Sequence, residues 1–162
     1  MKEELQQRAE GLLFTDQYEL TMAQLYFRLG MDQVPAVFDY FYRSKPDYGE
    51  HRAGFCVFAG MATLLDWVER ARPTAGDLDW LRSQRGAGGD PTFGPDFLDW
   101  LGSDGVFEGL RIEAVPEGRV VHPNVPLAVV SGPLAAAQLL ETALLNYLNY
   151  PTLVATKAAR IR

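Results

Sequence analysis

Few residues in this sequence are of types and spacings that could do chemistry. Lys157, Arg160 and Arg162 place three positive charges within six residues at the end of the sequence. Such a group serves either as a solvated helix face or as a cradle for a small phosphorylated ligand, because cationic side chains pair with phosphate oxygens. His51 sits in a charged turn, KPDYGEHR, and His122 in VVHPNVP, directly before a proline turn. A lone strand-end histidine there reads as structural or solvated before it reads as a general base. Cys56 is the single cysteine and cannot form an internal disulfide; flanked by Phe55, Val57 and Phe58, it reads as a buried thiol in a reducing compartment.

Several site types are excluded outright. No Gly-x-x-x-x-Gly-Lys-Ser/Thr loop is present, and the GAGG at 86–89 lies in a loop after a helix rather than after a strand. One cysteine and two isolated histidines do not make a zinc site, and no Gly-x-Ser-x-Gly elbow occurs. The net charge of −6, with no run of Lys and Arg, argues against nucleic acid as a partner. The start, MKEELQQRAEGLLF, has no long apolar run and is not a secretory signal. The most apolar stretch, Pro133 to Leu145, holds Gln138 and Glu141 and falls short of a membrane span. These features predict a cytoplasmic protein with no membrane contact. At 48% hydrophobic and 22% charged residues the chain has the make-up of a folded domain, so disorder explains no large part of it.

The elements that must position these groups follow from periodicity. Residues 1–11 read as a flexible, polar lead-in. Asp16 and Glu19 have capping-box spacing, Leu20, Ala23 and Phe27 recur at helical intervals, and Gly30 is a stop signal: a helix over about 17–29, with Asp16 as its N-cap. Ala36 to Arg43 reads as an aromatic strand with Phe38, Tyr40 and Tyr42 on one face, 45–52 as a polar turn and 53–58 as a second strand. Met61, Leu64, Leu65 and Val68 predict a helix face. Thr74 and Asp77 open another helix carrying Leu78 and Leu81, and a short one follows around Phe97, Leu98 and Leu101.

Strands are predicted over 106–114, 119–122 and 126–131, with Gly132-Pro133 ending the run. A long apolar helix then reaches about Asn149, in which Glu141 and Asn146 should make buried hydrogen bonds. Another helix begins after Pro151. It carries two charges in its last three residues and no cap, which predicts a segment that continues beyond the sequence given. Mixed elements without regular β-α alternation predict an α+β fold.

Five strings carry a resemblance: LFTDQYELTM, FDYFYR, FAGMATLL, AVPEGRVVHPNVPLAVVSGP and AQLLETALLNYLNYPTLVATKAAR. In this order, from about residue 11 to the end, they resemble the N-terminal portion of nicotinate phosphoribosyltransferases. The resemblance implies the N-terminal antiparallel-sheet and helix domain of a type II phosphoribosyltransferase, residues 12–150. Residues 151–162 then begin the helix leading into an α/β barrel that this chain lacks. The implied activity joins nicotinate to the anomeric carbon of phosphoribosyl pyrophosphate, releasing pyrophosphate and forming nicotinate mononucleotide. ATP hydrolysis drives it through a phosphorylated histidine, and Mg2+ accompanies the phosphates. Homodimers are implied, the N-terminal domain of one subunit completing the site of the other.

Carried onto this chain, the resemblance makes Tyr18 the ring that stacks on the pyridine across the dimer interface, where an aromatic face suits a flat ring. The alternative is a tyrosine that merely packs in the first helical turn. Asp16 gains a second role near the ribose or the partner. Arg43, at the end of the aromatic strand, could grip a phosphate bidentately or remain an exposed strand-end charge. Lys157 and Arg160 fall on the junction helix near the phosphoribosyl site. No catalytic residue and no metal ligand is assigned to this chain, and His122 does not stand in the phospho-histidine's motif. The turn KPDYGEHRAG departs from the family's Pro-Phe-Gly version. Two other readings stay open: a non-catalytic dimerisation or interaction module built on the same domain, which an exposed apolar helix over 134–148 would favour, and a quinolinate or nicotinamide enzyme of the same superfamily.

Overall fold

A computed structural model describes residues 11–161 except 50, 53 and 104. The predicted lead-in up to residue 10, and Arg162, therefore lie outside the described residues. The fold is α+β. The helices are α1 (Gln17–Arg28), α2 (Met61–Arg70), α3 (Ala75–Ser83), α4 (Pro95–Leu101), α5 (Leu134–Leu139) and α6 (Glu141–Ile161). The strands are β1 (Pro35–Tyr40), β2 (Asp47–Tyr48), β3 (His51–Arg52), β4 (Cys56–Val57), β5 (Arg111–Ala114), β6 (Val120–Val121) and β7 (Ala128–Pro133). β1, β7 and β5 form an antiparallel sheet in that order, with β7 central; β2–β3 and β4–β6 are short antiparallel pairs.

The strands are shorter than their composition suggests. The aromatic strand ends at Tyr40, since β7 offers partners only from Pro133 back to Ala128. For the same reason β7 runs through Gly132 to Pro133 rather than stopping before them. Val106 and Phe107 look like strand residues but lie in a turn and plug the core, leaving β5 to begin at Arg111. The predicted strands over 53–58 and 119–122 shrink to two residues each, β4 and β6. The polar turn 45–52 contains the β2–β3 pair.

The core packs α1 against α5 and α2 against α6. On α2, Leu64 and Trp67 are buried and Leu65 is exposed, so the buried face is rotated from the one that periodicity predicts. Thr74 and Asp77 form the capping box that their spacing demands, with 3.1 and 2.8 Å bonds between side chain and backbone.

The long apolar helix is in fact two. Ala135 to Leu140 are buried, as their composition requires, and α6 then starts at Glu141. Pro151 neither ends α6 nor begins a new helix; it sits inside the helix. A proline has no N–H to give to the carbonyl four residues back, here that of Tyr147. Gly60, the residue before α2, presses on that carbonyl so closely that a Cβ there would lie 1.9 Å from it. The lower half of α6 is further tied to β4 through side chains: Thr156 Oγ1 accepts from Val57 N–H at 2.8 Å, and Thr152 Oγ1 accepts from Ala59 N–H at 3.2 Å. Thr152, Thr156, Leu144 and Leu148 recur every fourth residue and make one buried stripe.

Candidate functional site

Tyr18 occupies the first turn of α1 and is 47% exposed. Its hydroxyl is within hydrogen-bonding reach of Glu141 and Glu19. Partial burial, then the bond to Glu141 and its charge, push the phenol up to about 12, so it stays a neutral donor at physiological pH. The part-exposed ring at the head of α1 offers a flat face suited to stacking on a planar ligand.

Asp16 occupies the N-cap position with an extended backbone, but its side chain makes no capping bond. The predicted capping box of Asp16 and Glu19 does not form. Glu19 turns inward instead and is fully buried. Thr142 Oγ1 donates to Glu19 Oε1 at 2.7 Å, and Thr15 Oγ1 donates to Glu19 Oε2 at 2.5 Å. The Asp16 N–H donates to the Thr142 hydroxyl at 3.2 Å. Burial pushes the Glu19 carboxyl up, and the hydroxyl donors from Thr15 and Thr142 oppose that shift. The start of α1 and the start of α6 are thus laced together by a carboxylate and two threonines. Sequence reasoning missed this role of Glu19 and Thr142, because the partners lie 123 positions apart and no local pattern announces them.

Arg43 is exposed beyond the end of β1. It lines a groove of about 490 Å³ with Asp39, Phe41 and Glu141. The phenols of the same segment are structural: Tyr40 donates to Asn149 Oδ1 and Tyr42 to the Val121 carbonyl, both at 2.8 Å. Burial raises the Tyr40 phenol to about 12 and raises that of Tyr42 as well, the latter aided by a bond to the buried Cys56. Glu141 and Asn146 are exposed, contrary to the buried roles predicted for them. Glu141 accepts from Gln138 and Asn146 donates to the Thr142 carbonyl, so both bonds stay within the turn.

Lys157 is exposed near the far end of α6, and the Arg160 guanidinium lies 5.7 Å over the Phe55 ring. Along α6, Lys157 is about 24 Å and Arg160 about 28 Å from Glu141, at 1.5 Å per residue. The structure therefore brings Tyr18 and Arg43 together around Glu141, and holds Lys157 and Arg160 apart from them at the other end of one helix. His122 is exposed and the side chain of His51 lies outside the described residues. Among the described residues no group of three or more His, Cys, Asp or Glu could hold a metal ion. No helix among them is long and apolar enough to cross a membrane.

The family described as the nicotinate phosphoribosyltransferase (NAPRTase) N-terminal domain matches residues 13–149. The chain belongs to this family. It is 43% identical over 150 residues to a nicotinate phosphoribosyltransferase of Caenorhabditis elegans, and 39% identical over 150 residues to that of Bacillus subtilis. Those matches cover 93% of this chain but only 25% and 28% of the two relatives. The crystal structure of human nicotinic acid phosphoribosyltransferase superposes with a TM-score of 0.78 at 37% identity, covering 91% of this chain and 28% of the human one. The α+β architecture is thus that of a phosphoribosyltransferase N-terminal domain, and the chain spans about a quarter of the length of these relatives.

Proposed function

We propose that this chain serves, within a longer protein, the transfer of a phosphoribosyl group from phosphoribosyl pyrophosphate to the ring nitrogen of nicotinate. Pyrophosphate leaves and nicotinate mononucleotide forms, with ATP hydrolysis driving the reaction and Mg2+ accompanying the phosphates. Magnesium bound with the substrates would neutralise charge at the pyrophosphate. Tyr18 covers the pyridine ring, Arg43 and Asp16 lie at the same end, and Lys157 and Arg160 meet phosphate. The observation that carries this reading is the placing of Tyr18 and the two cations at opposite ends of α6. That separation favours a homodimer in which a second copy presents its own end of α6 to the same mononucleotide. A cytoplasmic setting fits the lone, buried thiol.

The described residues offer a stacking ring and edge cations, which alone do not surround a departing pyrophosphate with positioned charge. Purified alone, it should form no nicotinate mononucleotide from nicotinate, phosphoribosyl pyrophosphate, ATP and Mg2+, while the product of the complete reading frame should. Turnover by the isolated chain, or none by the complete protein, refutes the proposal.

A second reading, a non-catalytic dimerisation or interaction module, draws on a different surface from the one composition suggested. The segment 134–148 is largely covered by the chain's own core, but Tyr150, Leu153, Val154 and Ile161 stand exposed on the lower half of α6. A monodisperse monomer at high concentration counts against that module.

A further inference from the structure

We propose that Glu19 is the positioning residue that holds Tyr18 in place for ring stacking, by tying the start of α1 to the start of α6. This rests on the reading of Tyr18 given above. Glu19 is fully buried, next to Leu20 and Ala23 of the core. Burying a carboxylate is unfavourable, and an apolar side chain would pack there at less cost, so the position asks for an explanation beyond stability. The groups that satisfy it supply one. Its two oxygens take the hydroxyls of Thr15 and Thr142, and the Tyr18 hydroxyl lies within reach of it as well as of Glu141.

Thr142 in turn accepts the Asp16 N–H, so every residue from Thr15 to Glu19 that bears a polar contact to α6 is held in one chain of bonds. Tyr18 is the member of that network whose ring reaches solvent. The bonds of Thr142 to Glu19 and to the Asp16 N–H fix the backbone on both sides of Tyr18 against α6, which lowers the ordering cost of seating its ring on a ligand.

The test is a double-mutant cycle on the protein expressed from the complete reading frame, read as KM for nicotinate and kcat. Tyr18→Leu should raise KM for nicotinate by about twofold to tenfold with kcat little changed, the stacking contribution of an aromatic face. Glu19→Gln should raise KM to a similar extent, and the double variant should be no worse than Tyr18→Leu alone. If Glu19→Gln leaves KM unaltered, or if the two effects multiply, Glu19 is structural and the inference falls while the role of Tyr18 stands. If Tyr18→Leu itself leaves KM unaltered, the reading of the site falls and the inference with it. Should Glu19→Gln fail to fold by circular dichroism, Thr142 decides the matter. Thr142→Val should raise KM and Thr142→Ser, which keeps the hydroxyl, should restore it; equal KM values for the two overturn the proposal.

Discussion

Gly60 is where the joint between α2 and α6 is tightest, and replacing it with alanine is the most informative perturbation of the fold. Its backbone adopts φ +107, a region that L side chains rarely enter. A Cβ there would stand 1.9 Å from the Tyr147 carbonyl oxygen, 3.0 Å from its carbon and 3.2 Å from Pro151 Cγ. The nearest obstacle is helix backbone, which cannot swing aside as a long side chain does. The conformational strain costs about 1–3 kcal/mol, and forcing α2 away from α6 about 1–3 kcal/mol more. Gly60→Ala should therefore lose about 2–6 kcal/mol, a large share of the ~5–15 kcal/mol that holds a domain together.

Gly30 is the matched control. It too has a positive φ, +65, but nothing lies within 4 Å of its Cβ position. Gly30→Ala should lose only the strain contribution, about 1 kcal/mol. Urea unfolding of the three proteins, followed by far-UV circular dichroism, measures the differences. Equal losses for the two alanines, or a loss below about 1 kcal/mol at Gly60 with an unchanged m-value, would refute the clash.

Three further outcomes follow from the same packing. Glu117→Ala should destabilise by about 1–3 kcal/mol, because its Oε1 accepts both the Gly60 and Met61 N–H groups, at 2.5 and 2.7 Å, and caps α2 from 56 positions away; thermal unfolding of Glu117→Ala against Glu117→Gln reads this. Thr156→Val keeps the shape but leaves the Val57 N–H without its 2.8 Å acceptor, a loss of about 1–3 kcal/mol in the same assay. Glu19 has its carboxyl raised above the ordinary 4.5 by burial, so the folded state binds the proton more readily than the unfolded one. Its contribution to stability is present below that ordinary value and is lost as pH rises through the raised one; the Tm difference, native chain minus Glu19→Gln, should therefore decrease as pH rises across that window.

Much of the helical frame was legible in the residues themselves. Leu20 and Ala23 with Gly30 marked α1, and Thr74 with Asp77 marked the head of α3, because helix signals are carried by neighbours three or four positions apart. The buried state of Cys56 followed from its apolar neighbours. The strands were less legible. Two-residue ladders such as β4–β6 exist only where another segment arrives to pair, and aromatic composition cannot say where that pairing stops. Val106 and Phe107 show the consequence, since core residues in a turn carry the same composition as a strand.

The site divides in the same way. The sequence by itself determined Tyr18 at the head of a helix, Arg43 behind an aromatic strand, cations at 157 and 160, and a family resemblance that the comparison of the chain with its relatives upholds. The tertiary structure alone decided that Asp16 and Glu19, spaced as a capping box, do not make one. A buried carboxylate takes the strongest donors within reach, and for Glu19 two of these are the Thr15 and Thr142 hydroxyls. It also decided that α6 runs through Pro151, because contacts from Gly60, Ala59 and Val57 hold the helix where local propensity would end it. One unbroken helix then keeps Tyr18 and Lys157 at opposite ends, a separation set by a rigid rod and by no local pattern of residues.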